Sequence, residues 1–241
     1  MSMSSDGASG TLSRPEAPDY NATYTITGWF KATDASLRKG ILSVFVTDDN
    51  NADEFATDFQ TANRVYGMSS IGGAFTRVHG ATVISNATWY FFVFRRTGAT
   101  SLEWRIDTTS QGTVTNDVTG RTAADTVLVF DGKESVNDFV GSMCQVRVWT
   151  TNLSDGELVT EKGSVTVVKA GSWASWPMAN ATDNSDESGN GRNLTITGTF
   201  TTDSDNPPGQ GGGGPTVDQE GPAFQAELAS GGMVGVNHLR T

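Results

Sequence analysis

The chain has 241 residues, with 16 Lys and Arg against 27 Asp and Glu, so its formal net charge is −11. Unaided binding to nucleic acid is not expected, because it depends on clustered cationic side chains and the sequence contains no Lys/Arg-rich run. The longest apolar stretch, Trp89 to Phe94, is far shorter than the roughly 20 residues of a membrane-spanning helix. We therefore expect neither nucleic acid nor a membrane among the partners.

Residue usage favours a packed β-rich domain. Six Trp and 12 Phe are too many for a disordered chain, and 28 Gly fit a fold with many turns. The single cysteine, Cys144, cannot form an intramolecular disulfide. Stability must therefore come from core burial or from assembly.

The first residues, Met1 to Gly10, are rich in Ser and Gly and lack periodicity, so we predict a flexible N-terminal arm over residues 1–12. Beyond them, alternation of apolar and polar residues with a period of two predicts eight strands. These are Tyr24 to Phe30, Ile41 to Thr47, Val78 to Ile84, Trp89 to Arg96, Ser101 to Asp107, Thr126 to Phe130, Val140 to Trp149 and Asn193 to Phe200. The stretch Trp89 to Phe94 is apolar on both faces, which is typical of a strand covered on both sides.

One short helix is predicted after Ser154, because Ser154 and Glu157 have the spacing of a capping box and Leu158 and Val159 follow. Many short strands with almost no helix predict a single two-sheet sandwich over residues 13–205. Its expected core includes Trp29, Trp89, Phe92, Val146 and Ile196.

The C-terminal region changes character. Residues 206–216 combine two adjacent prolines with a run of glycines, which predicts a linker. The tail that follows, residues 217–241, has too few apolar side chains to fold alone. We expect it to become ordered on a partner, with Phe224 and Leu228 as anchors.

Four segments together carry a family resemblance. They are Tyr24-Thr-Ile-Thr-Gly-Trp29, Ala87-Thr-Trp-Tyr-Phe-Phe-Val93, Phe139 to Glu157, and Asp186-Glu-Ser-Gly-Asn-Gly191. They resemble the first core strand, the central strand, the closing strand with its capped helix, and a recurrent loop of concanavalin A-like jelly rolls of the laminin-G-like type. Here that loop comes last instead of first, which resembles domains of bacteriophage and environmental bacterial proteins. Over residues 14–205 the resemblance implies an all-β, two-sheet antiparallel jelly-roll sandwich.

Catalysis is not expected. Glycoside hydrolases need two carboxylates about 5–9.5 Å apart, whereas Glu103 and Asp107, four residues apart on one strand, would lie roughly 13 Å apart. Neither His79 nor His238 shows a pairing with Cys144 or a serine that would support nucleophilic catalysis. We therefore predict no catalytic residue.

Calcium is the one cofactor that the sequence suggests, because acidic loops can supply oxygen ligands. The loops are Asp48 to Glu54 and Asp183 to Asn190. The family resemblance implies Asp186 and Asn190 as ligands near the rim of the sandwich, and Asp183 of the same acidic loop is a further candidate. Ordinary polar turns explain both loops equally well.

A glycan site requires an exposed aromatic side chain beside hydrogen-bonding groups. Trp104, Trp173 and Trp176 are the candidates, and each fits a core position as well.

Two functions follow. The first is a non-enzymatic structural protein of a virion, on the capsid or tail, that is attached to other virion proteins through its termini as part of a homo-oligomeric assembly. The alternative is a secreted or surface carbohydrate-binding module with an extracellular location. The flanking arm and tail favour the virion protein, because a free-standing lectin does not need them.

Overall fold

Two antiparallel sheets account for nearly all the regular structure. The computed structural model describes residues 1–7, 10–19, 22–47, 50–58, 63–132 and 138–210. Its strands are β1 (Ser2–Asp6), β2 (Thr11–Arg14), β3 (Tyr24–Ala32), β4 (Gly40–Phe45), β5 (Ala52–Thr57), β6 (Val65–Ile71), β7 (Ala74–His79), β8 (Trp89–Gly98), β9 (Ser101–Ile106), β10 (Thr109–Thr115), β11 (Thr126–Val129), β12 (Val140–Trp149), β13 (Ala174–Trp176), β14 (Thr195–Thr197) and β15 (Phe200–Asp203).

The eight-stranded sheet has the order β10-β9-β8-β3-β12-β1-β15, with β13 also paired to β12. The seven-stranded sheet has the order β14-β2-β11-β4-β5-β6-β7. The two sheets pack as a sandwich, which confirms the predicted all-β jelly-roll fold. Helix α1 (Asp155–Lys162) begins after a capping box formed by Ser154 and Glu157, as predicted. Within the described residues, no helix has the length and apolar character needed to cross a bilayer.

Alternation along β3 separates two apolar clusters, as the sequence predicts. Tyr24, Ile26 and Phe30 point into the main core between the sheets, together with Phe92. The opposite face of the eight-stranded sheet carries a second cluster that is covered by α1. It contains Trp29, Trp89, Phe91, Val93, Cys144, Trp149, Leu153 and Leu158. The expectation that β8 is covered on both sides is therefore confirmed.

A bulge in β12 changes which way its side chains face. The register with β3 shifts between Cys144 and Arg147, and Gln145 has a φ of 53°. As a result Cys144 lies in the outer cluster, whereas Val146 and Val148 lie in the main core. Cys144 is therefore buried on the opposite face of the sheet from Val146. Burial raises the pKa of the Cys144 thiol to about 12, which keeps it protonated.

The expectation of a flexible arm over residues 1–12 is wrong. Strand β1 lies inside the eight-stranded sheet, paired with β12 on one side and β15 on the other. Strand β2 pairs with β11 and β14. Backbone hydrogen bonds to two neighbouring strands and the buried side chain of Met3 hold β1 in place. A strand held in this way needs no alternating apolar side chains, so its Ser-rich sequence shows no periodicity.

Other boundaries also differ from the prediction. The segment predicted over 193–200 is two strands, β14 and β15, separated by a turn at Gly198 with a φ of 83°. The sandwich continues past residue 205, since Gln210 is buried and hydrogen bonded to Gln145 and Lys162. The tail, including Phe224 and Leu228, lies outside the described residues.

A buried charge network joins the sheets. The Asp53 carboxylate on β5 is fully buried and lies 2.6 Å from Arg96 on β8 and 3.0 Å from Arg121. Tyr24 on β3 and Ser69 on β6 donate hydrogen bonds to the same carboxylate, at 2.8 and 2.7 Å. Burial alone would raise the pKa of Asp53, but the two guanidiniums outweigh burial and lower it.

We expect Asp53→Asn to lower the free energy of unfolding by about 3–5 kcal/mol at pH 7, because it leaves two buried guanidiniums without their carboxylate. The stabilisation by Asp53 is lost as the pH falls below about 4, so the difference from the wild type should shrink there. Urea denaturation at several pH values measures both effects. Asp117→Asn, in an exposed loop, is the matched control. A loss below about 1 kcal/mol would show that the network is dispensable.

Candidate functional site

Two of the three candidate tryptophans lie in the core. Trp104 and Trp176 are fully buried between the sheets, so the expectation that they form an exposed platform is wrong. The Trp104 ring fits because Gly67 and Gly80 lack side chains; a Cβ on either would come within 2.3 or 2.2 Å of it. Trp176 is held by a hydrogen bond from its Nε1 to the carbonyl of Arg192.

The third candidate, Trp173, is half-buried and already covered. The Arg192 guanidinium lies 4.4 Å from the centre of its ring, and Arg192 also pairs with Glu16. The ring of Trp176 contacts the ring of Trp173 in an edge-on arrangement. This stack closes the loop of residues 183–192 against the sandwich instead of presenting a free ring face.

The predicted calcium loop is organised by its own backbone. Asp186 Oδ1 accepts hydrogen bonds from the N–H groups of Ser175 and Ser188, and Oδ2 accepts from the N–H of Arg192 and the Ser188 hydroxyl. Burial alone would raise the pKa of Asp186, but these backbone hydrogen bonds outweigh it and lower the pKa.

The two other predicted ligands also make hydrogen bonds near this loop, Asp183 as an acceptor and Asn190 as a donor. Asp183 accepts from the N–H groups of Ala179 and Ser185. The Asn190 amide donates to the carbonyls of Ser172 and Trp173. Among the described residues, no three His, Cys, Asp or Glu side chains group as metal ligands. Both carboxylate oxygens of Asp186 are already taken up by four hydrogen bonds, which supports a turn-forming role for this residue. Calcium binding by the loop stays a prediction.

Glu103 and Asp107 also have partners. Glu103 pairs with Arg95 and Arg105, at 2.7 and 2.8 Å. Asp107 pairs with Lys162 at the end of α1, at 2.9 Å. Asp107 therefore ties the end of α1 to the eight-stranded sheet, whereas Glu103 pairs with arginines of the sheet itself.

A different surface, which the sequence analysis missed, gathers aromatic and charged side chains. We call it the β5–β7 face. It is the outer face of the seven-stranded sheet at its β7 edge. Cross-strand pairing sets Tyr66 opposite His79, Met68 opposite Arg77, and Ser70 opposite Phe75. Glu54 of β5 lies opposite Met68 on the same side.

The floor of the β5–β7 face is fixed by hydrogen bonds. The Tyr66 hydroxyl donates to Glu54 Oε1 at 2.5 Å, and Arg38 Nε donates to the Tyr66 oxygen at 2.9 Å. Burial and the neighbouring Glu54 raise the pKa of Tyr66 well above its usual range. At one end of the face, His79 Nδ1 pairs with the buried carboxylate of Asp58.

Two side chains project above this floor. Phe75 is 60% exposed and is the one aromatic among the strongly exposed large apolar residues of the described chain. The Arg77 guanidinium lies 4.5 Å from the Tyr66 ring centre and 5.2 Å from that of Phe75. The signal for this arrangement, Phe75-x-Arg77-x-His79, is present in the sequence, but the strand containing it was predicted four residues too late.

A loop beside β4 carries an unusual carboxyl group. Gly40 packs against the backbone of Asp131 and Gly132, where a Cβ would come within 2.0 Å of the Gly132 nitrogen. Burial raises the pKa of Asp131 to about 6. A backbone hydrogen bond from Gly132 lowers this pKa, whereas the negative charges of Asp138 and Glu54 raise it further.

Comparison with known proteins places this geometry in a family. Residues 6–159, more than half of the chain, match a laminin-G-like family model described as the concanavalin A-like lectin/glucanases superfamily. The chain belongs to this superfamily. No curated protein matches its sequence.

Solved structures share the fold at low identity. A Bacteroides ovatus protein described as carbohydrate-binding has a TM-score of 0.60 and 14% identity, over 85% of this chain and 61% of the other. A native heptameric SAP-like pentraxin from Limulus polyphemus has a TM-score of 0.54 and 12% identity, over 69% of this chain and 83% of the other. Domains LG4-5 of the mouse laminin α1 chain have a TM-score of 0.51 and 11% identity, over 64% of this chain and 43% of the other. This chain thus spans less than two thirds of the bacterial and laminin structures.

Asp186→Ala should lower the free energy of unfolding by about 1–3 kcal/mol in the presence of a chelator, because it removes the acceptor of several backbone N–H groups. Calcium at millimolar concentration should leave the melting temperature of the wild type unchanged. Differential scanning fluorimetry tests both. A calcium-dependent rise that Asp186→Ala abolishes would instead establish a calcium site in this loop.

Asp131→Asn should stabilise the protein by roughly 1–2 kcal/mol at pH 8, since the folded state disfavours the charged carboxylate. The raised pKa means that the wild type loses stability as the pH rises from about 4 through about 6. The gain should therefore vanish at pH 4, where both proteins are neutral at this position. Denaturation curves at pH 4, 6 and 8 measure it, and a gain independent of pH would contradict the electrostatic cause.

Proposed function

We propose that this protein is a non-catalytic carbohydrate-binding domain that binds surface glycans outside the cell through the β5–β7 face. The observation that carries the proposal is the exposed ring of Phe75 beside the Arg77 guanidinium, on the outer face of a sheet in a lectin-type fold. An aromatic ring of this kind can pack against the apolar C–H face of a sugar.

Polar groups beside the ring supply the second requirement of a sugar site. Arg77 offers N–H donors next to Phe75, and His79 is exposed two residues further along β7. The Nδ1 of His79 is paired with Asp58, while its Nε2 makes no hydrogen bond within the described residues. Nε2 can therefore serve a sugar hydroxyl.

Absence of catalysis is part of the proposal. A hydrolase on this face would need a free carboxylate pair around the scissile bond. Glu54, the carboxylate at the centre of the β5–β7 face, is fully buried and accepts from Tyr66 and Arg38. Its hydrogen bonds support a structural role for it.

Attachment to a virion through the C-terminal tail stays a prediction. Its proposed anchors, Phe224 and Leu228, lie outside the described residues. The structures compared above are a pentraxin, a bacterial protein described as carbohydrate-binding and a laminin, and these support the extracellular module.

Phe75→Ala should weaken glycan binding by roughly twofold to twelvefold, which corresponds to the loss of about 0.5–1.5 kcal/mol of ring stacking. The full chain is first screened on a glycan array, and the best ligand is then titrated by isothermal calorimetry. Val159→Ala, an equally exposed position on α1, is the control and should bind like the wild type. If the array shows no ligand, or if both variants bind equally well, the β5–β7 face is not a glycan site.

A further inference from the structure

The arrangement of side chains on the β5–β7 face also indicates which class of glycan it binds. Building on the function proposed above, we infer that the bound saccharide carries a carboxylate group, which Arg77 binds through paired N–H donors while Phe75 packs against the sugar ring.

Arg77 is available for such a ligand. It makes neither a hydrogen bond nor an ion pair with the described residues, and its Nε is shielded from solvent without a partner. Every other arginine in the described part of the chain has an ion pair or a hydrogen bond. Acidic residues outnumber basic ones by 27 to 16, so a guanidinium that remains unpaired requires an explanation.

The neighbouring carboxylates explain why Arg77 stays free. Glu54 is held by Tyr66 and Arg38, and Asp58 is held by His79. Each acid of the β5–β7 face is thus committed to a different donor. The Nε of Arg77 is out of reach of solvent, but its two terminal Nη groups also lack a partner within the described residues and are not among the buried unpaired atoms, so they are the donors that a ligand can meet.

The guanidinium is also held in place before the ligand arrives. It lies over Tyr66, whose hydroxyl is fixed by Glu54, and beside Phe75 on the same strand face. Met68, directly opposite Arg77 on β6, gives an apolar neighbour with no competing charge. A planar guanidinium fixed in this way suits the two oxygens of a carboxylate, which it can bind in a bidentate manner.

The geometry predicts how the two groups share one sugar unit. Phe75 and Arg77 are two residues apart on β7, so their Cα atoms are separated by about 6.6 Å and their side chains project from the same face. This span matches a monosaccharide whose ring lies on the phenyl group and whose carboxylate reaches the guanidinium.

The test uses the full chain and a panel of carboxylated saccharides: polygalacturonate, alginate, hyaluronan and sialyllactose. Each is presented in its native form and after chemical reduction of the carboxylate to a neutral alcohol. Dextran sulfate and a neutral glucan complete the panel. We expect binding to at least one native acid, at least tenfold weaker binding to its reduced form, and an equal loss for Arg77→Gln.

Two further variants separate charge from geometry. Arg77→Lys keeps the charge but not the paired donors, so its affinity should fall between those of the wild type and Arg77→Gln. Lys169→Gln, on the far side of the sandwich near α1, removes one charge and should bind like the wild type. Circular dichroism melting curves verify that each variant is folded.

The results distinguish this inference from the proposed function. One outcome is that the protein binds the neutral glucan and that Phe75→Ala weakens this binding while Arg77→Gln does not. This result would support the glycan site but overturn the inference that the ligand carries a carboxylate. If the protein prefers dextran sulfate to every carboxylated saccharide, the inference that Arg77 binds a carboxylate is wrong. No binding to any member of the panel or the wider array would overturn both.

Discussion

The Asp53 carboxylate constrains both sides of β5. Because side chains alternate along a strand, fixing Asp53 between the sheets by its contacts with Arg96 and Arg121 also fixes Glu54 on the outer face. A slip of one residue would exchange the two and place Glu54 between the sheets, opposite Arg96 and Arg121. Glu54 in turn holds Tyr66, on which Arg77 stacks. The outer surface at β7 therefore depends on an ion pair buried beneath it.

The two sheets differ in what covers their outer faces. On the eight-stranded sheet, an apolar cluster with Trp29 and Trp149 is covered by Leu158 of α1 and by Leu153 in the loop before it, and the same face carries the ion pairs of Glu103. The seven-stranded sheet instead presents a mixture of small polar, aromatic and charged side chains near β7. A ligand of sugar size needs both an apolar ring face and hydrogen-bonding groups, and the β5–β7 face offers them in Phe75 and Arg77. The proposed glycan site therefore lies on the side of the sandwich opposite α1.

The sequence predicted the elements whose signals are local. Alternation revealed β3 and β8, and the capping box revealed α1, because each signal lies within a few consecutive residues. Strands β1 and β5 were missed, since their polar residues are buried by partners distant in the chain. The burial of Trp104 depends on Gly67 and Gly80, which meet it only across the sandwich. The β5–β7 face requires the pairing of three strands, so it could not be assembled from one-dimensional spacing.

Strand β1 has a consequence for the order of folding. It lies between β12 and β15, so Ser2 pairs with Asp203 while Met3 also faces Met143. During synthesis β1 must wait for partners made near the end of the domain, with its backbone groups hydrogen bonded to water until then. Such sequence-distant pairing slows folding and prolongs the exposure of strand edges. The serine-rich composition of β1, with Met3 as its single large apolar side chain, keeps this waiting segment soluble and limits its tendency to pair with other chains.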